Sequence, residues 1–491
     1  MDFINIIEDY AHTDKVAHIY ENSILTYREL KTKSDALAMF IIEYFKEDKT
    51  PIIVFGHKDH LMLVCFLACA KGGHPYIPVD SSTPVSRLRD IFTISGAKLL
   101  INISNTLVEL STETILCKSE LEKIILQGEN KTPKINYRIK AEEVYYIIYT
   151  SGSTGKPKGV QITKKNLQSF IDWGMKLIDK GNKVFMNQAP FSFDLSVMDT
   201  YLSLVSGSTL YSIDKDMIGN LPRLFKNFKS SGITTWVSTP SFAEMCLESD
   251  YFNEVLLSNL REMIFCGETL SKLCVKKLFE RFPRVKIINS YGPTEATVAI
   301  TAIEIKKDML KNQENIPVGY VKEDCDIILK EGTNEISIVG ESVSIGYLSD
   351  PILTEEVFFK QKNLGKNKMG YRTGDVGHII NGLLYYDGRI DNQIKLHGYR
   401  VEIEDIECNM KKLIFIKNAV IVPVKDSQKI KYLAAVVVLN EGFEGNVTLA
   451  VKNGLKDFLP AYMIPRKIKV KESLPMNVNG KIDRKNIAEE F

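Results

Sequence analysis

The chain has 491 residues, of which 44% are hydrophobic and 25% charged, and its 63 basic and 61 acidic side chains leave a formal net charge of +2. That length favours two or more domains, and that balance belongs to a globular protein, not a disordered one. Near-neutral charge supplies no global field that would draw nucleic acid or a membrane surface. In chain order, the opening MDFINIIEDYAHTDK is acidic and lacks the basic and apolar stretches of a signal peptide, so a cytoplasmic location is expected. PIIVFG (51–56) reads as a strand, and His57 and His60 after it read as a solvated loop-to-helix turn, not a metal pair. The apolar run near Leu61–Ala70 is far too short to span a bilayer. Strand-like runs at 144–149, 183–188, 234–239, 262–267 and 285–290 then alternate with helix-like stretches at 163–178, 219–231 and 270–282. This alternation predicts an α/β fold with largely parallel sheets, whose sites lie at the carboxyl ends of strands. After Gly292 the strands shorten, and Asn381-Gly382 between HII and LLYY predicts a tight hairpin. From about Asp391 a new unit is expected, with a helix over 401–413, strands NAVIVPV and KYLAAVVVL, and a helix near 449–458. The eight cysteines include no CxxC pair and read as reduced, mostly buried thiols. No HExxH or GxSxG occurs, which removes zinc hydrolysis and the serine-hydrolase elbow.

The first chemical signal follows the strand VYYIIY: Thr150, Ser151, Gly152, Ser153, Thr154, Gly155, Lys156, Pro157, Lys158, Gly159. Small residues let backbone N–H groups approach an anion, while hydroxyls and lysines add donors. The Gly spacing is shorter than in Walker A, and Pro157 stands where that motif has Ser or Thr. Further along come Asn289-Ser290-Tyr291-Gly292-Pro293-Thr294-Glu295, Tyr371-Arg-Thr-Gly-Asp375, Gly388-Arg389-Ile-Asp391-Asn-Gln-Ile-Lys395 and Asn479-Gly-Lys481-Ile-Asp-Arg484. Five such motifs, in this order and over essentially the whole chain, resemble the acyl-adenylate-forming superfamily of acyl-CoA synthetases, luciferases and nonribosomal peptide synthetase adenylation domains.

The resemblance implies a large N-terminal domain (1–388) of parallel-rich αβ subdomains plus a β-subdomain, and a small mobile α+β C-terminal domain (389–491). It implies ATP bound by the residues from Thr150 to Gly155 with Lys158, by Asn289 to Thr294, by Asp375, and by Tyr386, Asp387, Gly388 and Arg389. Within that set Tyr291 would stack on adenine, Asn289 and Gly292 would line its slot, and Asp375 would accept from both ribose hydroxyls. Thr294 would lie near the α-phosphate, Glu295 would help hold Mg2+, and Lys481 would reach the substrate carboxylate and α-phosphate. Taken alone, most of these would read as core packing, a helix start or surface ion pairs.

Asp194 in APFSFDLSVM stands where amino-acid-activating members place a partner for the α-ammonium, although an Asp before LSVMDTYL also suits helix capping. Leu195, Met198, Val237, Cys266 and Val298 would line the remaining pocket. The wording of NQAPFSFDLSVMD, STPSF, FCGETL, YGPTEATVA, KLHGYR and LPAYMIPRK is most similar to members that activate D-alanine. Those enzymes load it on the phosphopantetheine of a small acyl carrier protein for lipoteichoic acid D-alanylation. The chain departs from that pattern around 325–346, where Ile345 replaces an expected arginine. No carrier or condensation domain is fused, which suits a free-standing ligase acting in trans. Asp391 is the expected hinge, with the loop at His397-Gly398 expected to face the pantetheine channel. Two other readings stand beside this one: adenylation of β-alanine or glycine, and a catalytically silent module that only binds ATP or an acyl group.

Overall fold

The structure is a computed structural model that describes residues 1–109, 114–152, 155–311, 315–363, 366–396, 398–426, 429–475 and 482–491. The chain divides into two compact units, one of residues 1–80, 95–148 and 159–390, the other of residues 81–94, 149–158 and 391–491.

Among the described residues, the first unit contains a nine-stranded sheet with a parallel run of Val16–Tyr20, Thr209–Ser212, Val184–Asn187, Thr235–Ser238, Glu262–Phe265 and Lys286–Tyr291. The three innermost of these carry apolar residues on both faces, as strands covered on both sides require. A six-stranded sheet built on Ile52–Gly56, Tyr76–Asp80 and Val144–Thr150 accompanies it, and an antiparallel sheet includes Glu335–Gly340, Lys366–Ile380 and Leu383–Arg389. The Asn381-Gly382 turn forms as the sequence predicts, with φ of 52° and 79° at the two residues, the pairing that a two-residue hairpin needs.

Helix His60–Gly72 is buried from Leu61 through Gly72, so the apolar run is a core helix that packs on helix Tyr27–Phe45. That neighbour starts at a capping box in which Thr26 and Glu29 exchange hydrogen bonds. No helix among the described residues is long and apolar enough to cross a membrane. The N-terminal helix Phe3–Asp9 is an anchor. Phe3 is fully buried edge-on to Tyr145 and Tyr201, and Glu8 binds both Lys71 and Arg138.

His57 and His60 are half-buried and partnered, not solvated as expected: His57 Nδ1 lies 2.6 Å from Asp80 Oδ2, and His60 Nδ1 lies 2.7 Å from His18 Nδ1. The helix expected over 219–231 forms as Leu221–Ser231, its start set by Asn220, whose side chain accepts from the Arg223 amide, and a separate short helix Lys215–Ile218 precedes it. In the second unit, Ile416–Asp426 pairs antiparallel with Lys429–Leu439, which pairs parallel with Lys467–Val470. Its helix expected over 401–413 spans only Ile403–Met410, since residues 399–401 are drawn into a hairpin with 394–396.

Candidate active site

Strand Lys286–Tyr291 delivers Asn289, Ser290 and Tyr291 at its carboxyl end, and a 3-10 turn over Thr294–Ala296 follows Gly292 and Pro293. Tyr291 is buried and its hydroxyl donates to Asp375 Oδ2 at 2.7 Å, while Tyr386 lies with its ring centre 6.2 Å away. Burial and the Asp375 charge push the phenol well above its usual range, so it remains a donor. Arg389 Nη1 donates to Asp375 Oδ1 at 2.6 Å across the Lys366–Ile380 and Leu383–Arg389 strands, where the two residues face each other in register. The Asp375 amide is fixed by Thr373 Oγ1 at 2.9 Å. Each carboxylate oxygen accepts about two hydrogen bonds, so Asp375 keeps capacity for further donors.

Asn289 is buried. Its Nδ2 donates to the Pro317 carbonyl at 2.8 Å, while its Oδ1 has no hydrogen-bond partner. An orphaned buried acceptor costs about 1–3 kcal/mol, a cost that a donor on a bound group would remove. Gly292 admits no side chain because the chain passes close by: a Cβ there would stand 2.6 Å from Ala299 Cα and 2.9 Å from the Val298 carbonyl. Ser290 is committed to the Phe265 carbonyl. The exposed Asp387 directs its carboxylate to the half-buried His378, with Oδ2 2.7 Å from the imidazole Nδ1.

Asp194 occupies the N-cap position of helix Leu195–Val205 but makes no capping hydrogen bond with its side chain. Its Oδ2 instead accepts from Thr294 Oγ1 at 2.7 Å, and both residues are buried. This bond joins the segment after strand Val184–Asn187 to the turn after strand Lys286–Tyr291. Glu295, fully buried next to Thr294, accepts from the Tyr347 hydroxyl at 2.7 Å. Leu195, Met198, Val237, Cys266 and Val298 all belong to one buried apolar cluster, with Cys266 Sγ 3.8 Å from the Val298 carbonyl.

Three features here escaped the sequence. Tyr347 is an ordinary residue until the fold sets it against Glu295, and the support that Thr373 gives the Asp375 amide is invisible within its motif. Thr297 and Val298 both have left-handed backbones, with φ of 55° and 69°. For β-branched residues that conformation is strained by about 1–3 kcal/mol each and persists only where surroundings impose it. Here the Thr297 hydroxyl binds the Ser342 carbonyl, and the Ile300 amide binds the Tyr291 carbonyl.

In the second unit, Ser151 Oγ donates to the Arg400 carbonyl and accepts from the Glu402 amide, each at 3.0 Å, and Lys158 Nζ lies 3.2 Å from Glu402 Oε1. Thr150 Oγ1 is buried without a partner. Gly152 admits no side chain, since a Cβ would lie 2.2 Å from the Lys156 carbonyl. Gly155 has a φ of 79°. Asp391 opens the unit's long C-terminal segment and its Oδ1 accepts from the Gln393 amide. Ser153, Thr154, His397 and Lys481 lie outside the described residues.

A family model described as AMP-binding enzyme matches residues 8–348, and one described as AMP-binding enzyme C-terminal domain matches residues 405–481. The chain is 46% identical over 505 residues to a D-alanine–D-alanyl carrier protein ligase of Bacillus anthracis, covering 100% of this chain and 99% of the relative. Identity and coverage are the same for the ligase of that name from Bacillus cereus strain AH187. Among solved structures, the Vibrio cholerae adenylation domain AlmE in complex with glycyl-adenosine-5'-phosphate superposes with a TM-score of 0.84 at 24% identity, covering 100% of this chain and 96% of that one. The artificially fused adenylation–PCP di-domain NpsA-ThdA from Klebsiella oxytoca gives 0.82 at 23% identity, over 95% and 93%. These two structural likenesses establish the fold.

Proposed function

We propose that this chain, which belongs to the AMP-binding enzyme family, is an ATP-dependent, AMP-forming ligase that joins D-alanine to a D-alanyl carrier protein. A carboxylate oxygen of D-alanine attacks the α-phosphorus of ATP, the bond to the β-phosphate breaks, and pyrophosphate leaves. The carrier's thiol, on a phosphopantetheine arm, then attacks the D-alanyl carbonyl and AMP departs. The observation that carries the substrate reading is the Asp194–Thr294 hydrogen bond. It sets a buried carboxylate, the natural partner of an ammonium, directly against the motif assigned to the phosphate.

Asp375, with Arg389 beside it, holds the ribose, and the Tyr291 ring covers the adenine, whose amino group suits the orphaned Asn289 Oδ1. Thr150 to Gly155 and Lys158 hold the phosphates, with Lys481 at the reacting oxygens. Mg2+ suits the donor chemistry of Glu295, because this ion takes one or two carboxylates and completes its shell with phosphates and water. No cluster of three acidic, histidine or cysteine side chains competes for a metal among the described residues. When bound, the ion would neutralise charge on the phosphates.

Lipoteichoic acid as the final acceptor, a cytoplasmic setting and Asp391 as the hinge complete the reading. They are supported by the full-length likeness to the Bacillus ligases and by Asp391 opening the second unit's long segment. The test is ATP–pyrophosphate exchange with D-Ala, L-Ala, Gly, β-Ala and Ser, followed by loading of a phosphopantetheinylated carrier. D-alanine should lead the panel. A lead for glycine or β-alanine would replace the substrate, and no exchange with any amino acid would leave a binding module.

A further inference from the structure

The segment carrying Asp194 is gripped by a buried polar network centred on Lys58, which lies outside every motif of the adenylation pattern. Asn187 ends strand Val184–Asn187, and Asp199 sits in helix Leu195–Val205, so the pair brackets the turn over residues 188–194. Asn187 Nδ2 donates to Asp199 Oδ1 at 2.9 Å. Into this bracket comes Lys58, from just beyond strand Ile52–Gly56 of the other sheet, only 1% exposed. Its Nζ donates to Asn187 Oδ1 at 2.6 Å and to the Ala189 carbonyl, and it lies 4.7 Å from the centre of the Phe191 ring. Three contacts thus occupy the ammonium, and two of them are within the turn itself.

Lys58 differs from the other buried lysines. Lys71 is held by Glu8 and Asp35, Lys183 by Glu262 and Lys322 by Asp324, all carboxylates. Lys58 has only neutral direct partners among the described residues. Burying an ammonium costs several kcal/mol unless its donors are all met, so any loosening of the turn would leave the cation unsatisfied. The cost acts as a lock on one turn geometry.

We propose that Lys58 is a positioning residue for the amino-acid site: its ammonium clamps Asn187 and the Ala189 carbonyl and so sets the turn that presents Asp194. The inference rests on Asp194 as the ammonium partner. The charged and titratable groups around Lys58 are His18 on strand Val16–Tyr20, His57, Asp59 and His60 beside it, Asp80 at the end of Tyr76–Asp80, Asp199, and Asp214 and Lys215 after Thr209–Ser212. Burial lowers the ammonium to about 7, while Asp199 and Asp80 draw it back upward. Burial raises Asp199 to about 8, with its Oδ2 unpartnered.

The test uses the full chain in ATP–pyrophosphate exchange, with D-alanine and ATP varied separately. Lys58→Met is expected to raise the D-alanine KM about tenfold or more and leave the ATP KM within about twofold, because misplacing one positioning group by a fraction of an ångström affects only the ligand it positions. Equal change in both constants, or in neither, overturns the proposal. Should Lys58→Met not fold, Asp199→Asn carries the test. The isosteric amide removes the negative charge that draws the Lys58 ammonium upward, so the D-alanine KM should climb at a lower pH than in the wild type. Superimposable profiles overturn it. Absence of D-alanine-dependent exchange in the wild type would strike the underlying substrate reading instead.

Discussion

Asp194→Asn separates charge from shape at the amino-acid site. The amide keeps an oxygen for the Thr294 hydroxyl, 2.7 Å away, so the turn has no reason to move. What disappears is the negative charge facing the substrate ammonium in a site where Asp194 is 8% exposed. Truncating one partner of a buried, hydrogen-bonded charge pair costs about 2–5 kcal/mol, or roughly thirtyfold to several thousandfold in kcat/KM for D-alanine. The ATP KM should stay within about twofold. Asp194→Ala should match that loss and add an unsatisfied Thr294 hydroxyl, lowering stability by about 1–3 kcal/mol where Asn does not. Pyrophosphate exchange at subsaturating D-alanine measures the first effect, and thermal unfolding the second. An Asn variant within threefold of wild type would refute the ammonium role of Asp194.

Other perturbations read other parts of the machinery. Lys481→Ala is expected to slow adenylate formation by about 10²–10³ with the fold intact, as loss of one transition-state charge does; near-wild-type exchange would remove Lys481 from the chemistry. Asp391→Pro, which fixes φ, should spare pyrophosphate exchange but depress carrier loading, and equal loss of both would mean that Asp391 is no hinge. Cys266→Ala should improve L-alanine relative to D-alanine by about tenfold or more if the thiol walls one side of the α-carbon, and an unchanged D/L ratio would dismiss that wall. Glu8→Gln probes the N-terminal anchor. Burial raises the Glu8 carboxyl, but Lys71 and Arg138 outweigh it and hold it below its usual value. A carboxylate depressed in this way stabilises the fold above the unfolded pKa near 4.5, and that stability fades as pH falls through the folded value. The destabilisation by Glu8→Gln should therefore be full at pH 7 and shrink below pH 4.5, and a pH-independent difference would contradict the pairing.

Sequence legibility followed how local each determinant was. Asn381-Gly382 was readable because both residues tolerate positive φ and the flanking runs alternate correctly. The parallel strands were readable because burial on both faces leaves little but apolar residues. The helix expected over 401–413 lost its start to a hairpin with 394–396, a pairing decided outside the helical pattern. At the site, motif order located Asp375, Tyr291, Thr294 and Glu295, but Tyr347, the partner of Glu295, carries no local signature. Thr297 and Val298 were the least legible, since β-branched residues argue against left-handed backbone and only tertiary hydrogen bonds impose it. Lys58 looked like any charged residue near a turn, and its role emerges only when two sheets meet.

The N-terminal anchor also bears on how the chain is made. One of the ring partners of Phe3, Tyr201, leaves the ribosome roughly two hundred residues after it. At about 5–20 residues per second, that interval is on the order of 10–40 s. Throughout it, the apolar face of Phe3, Ile4 and Ile7 has only part of its final packing, and Glu8 waits for Arg138 as well. Helix Phe3–Asp9 is therefore secured only once the chain has run on to Tyr201, and until then its apolar face is a natural landing place for a ribosome-associated chaperone.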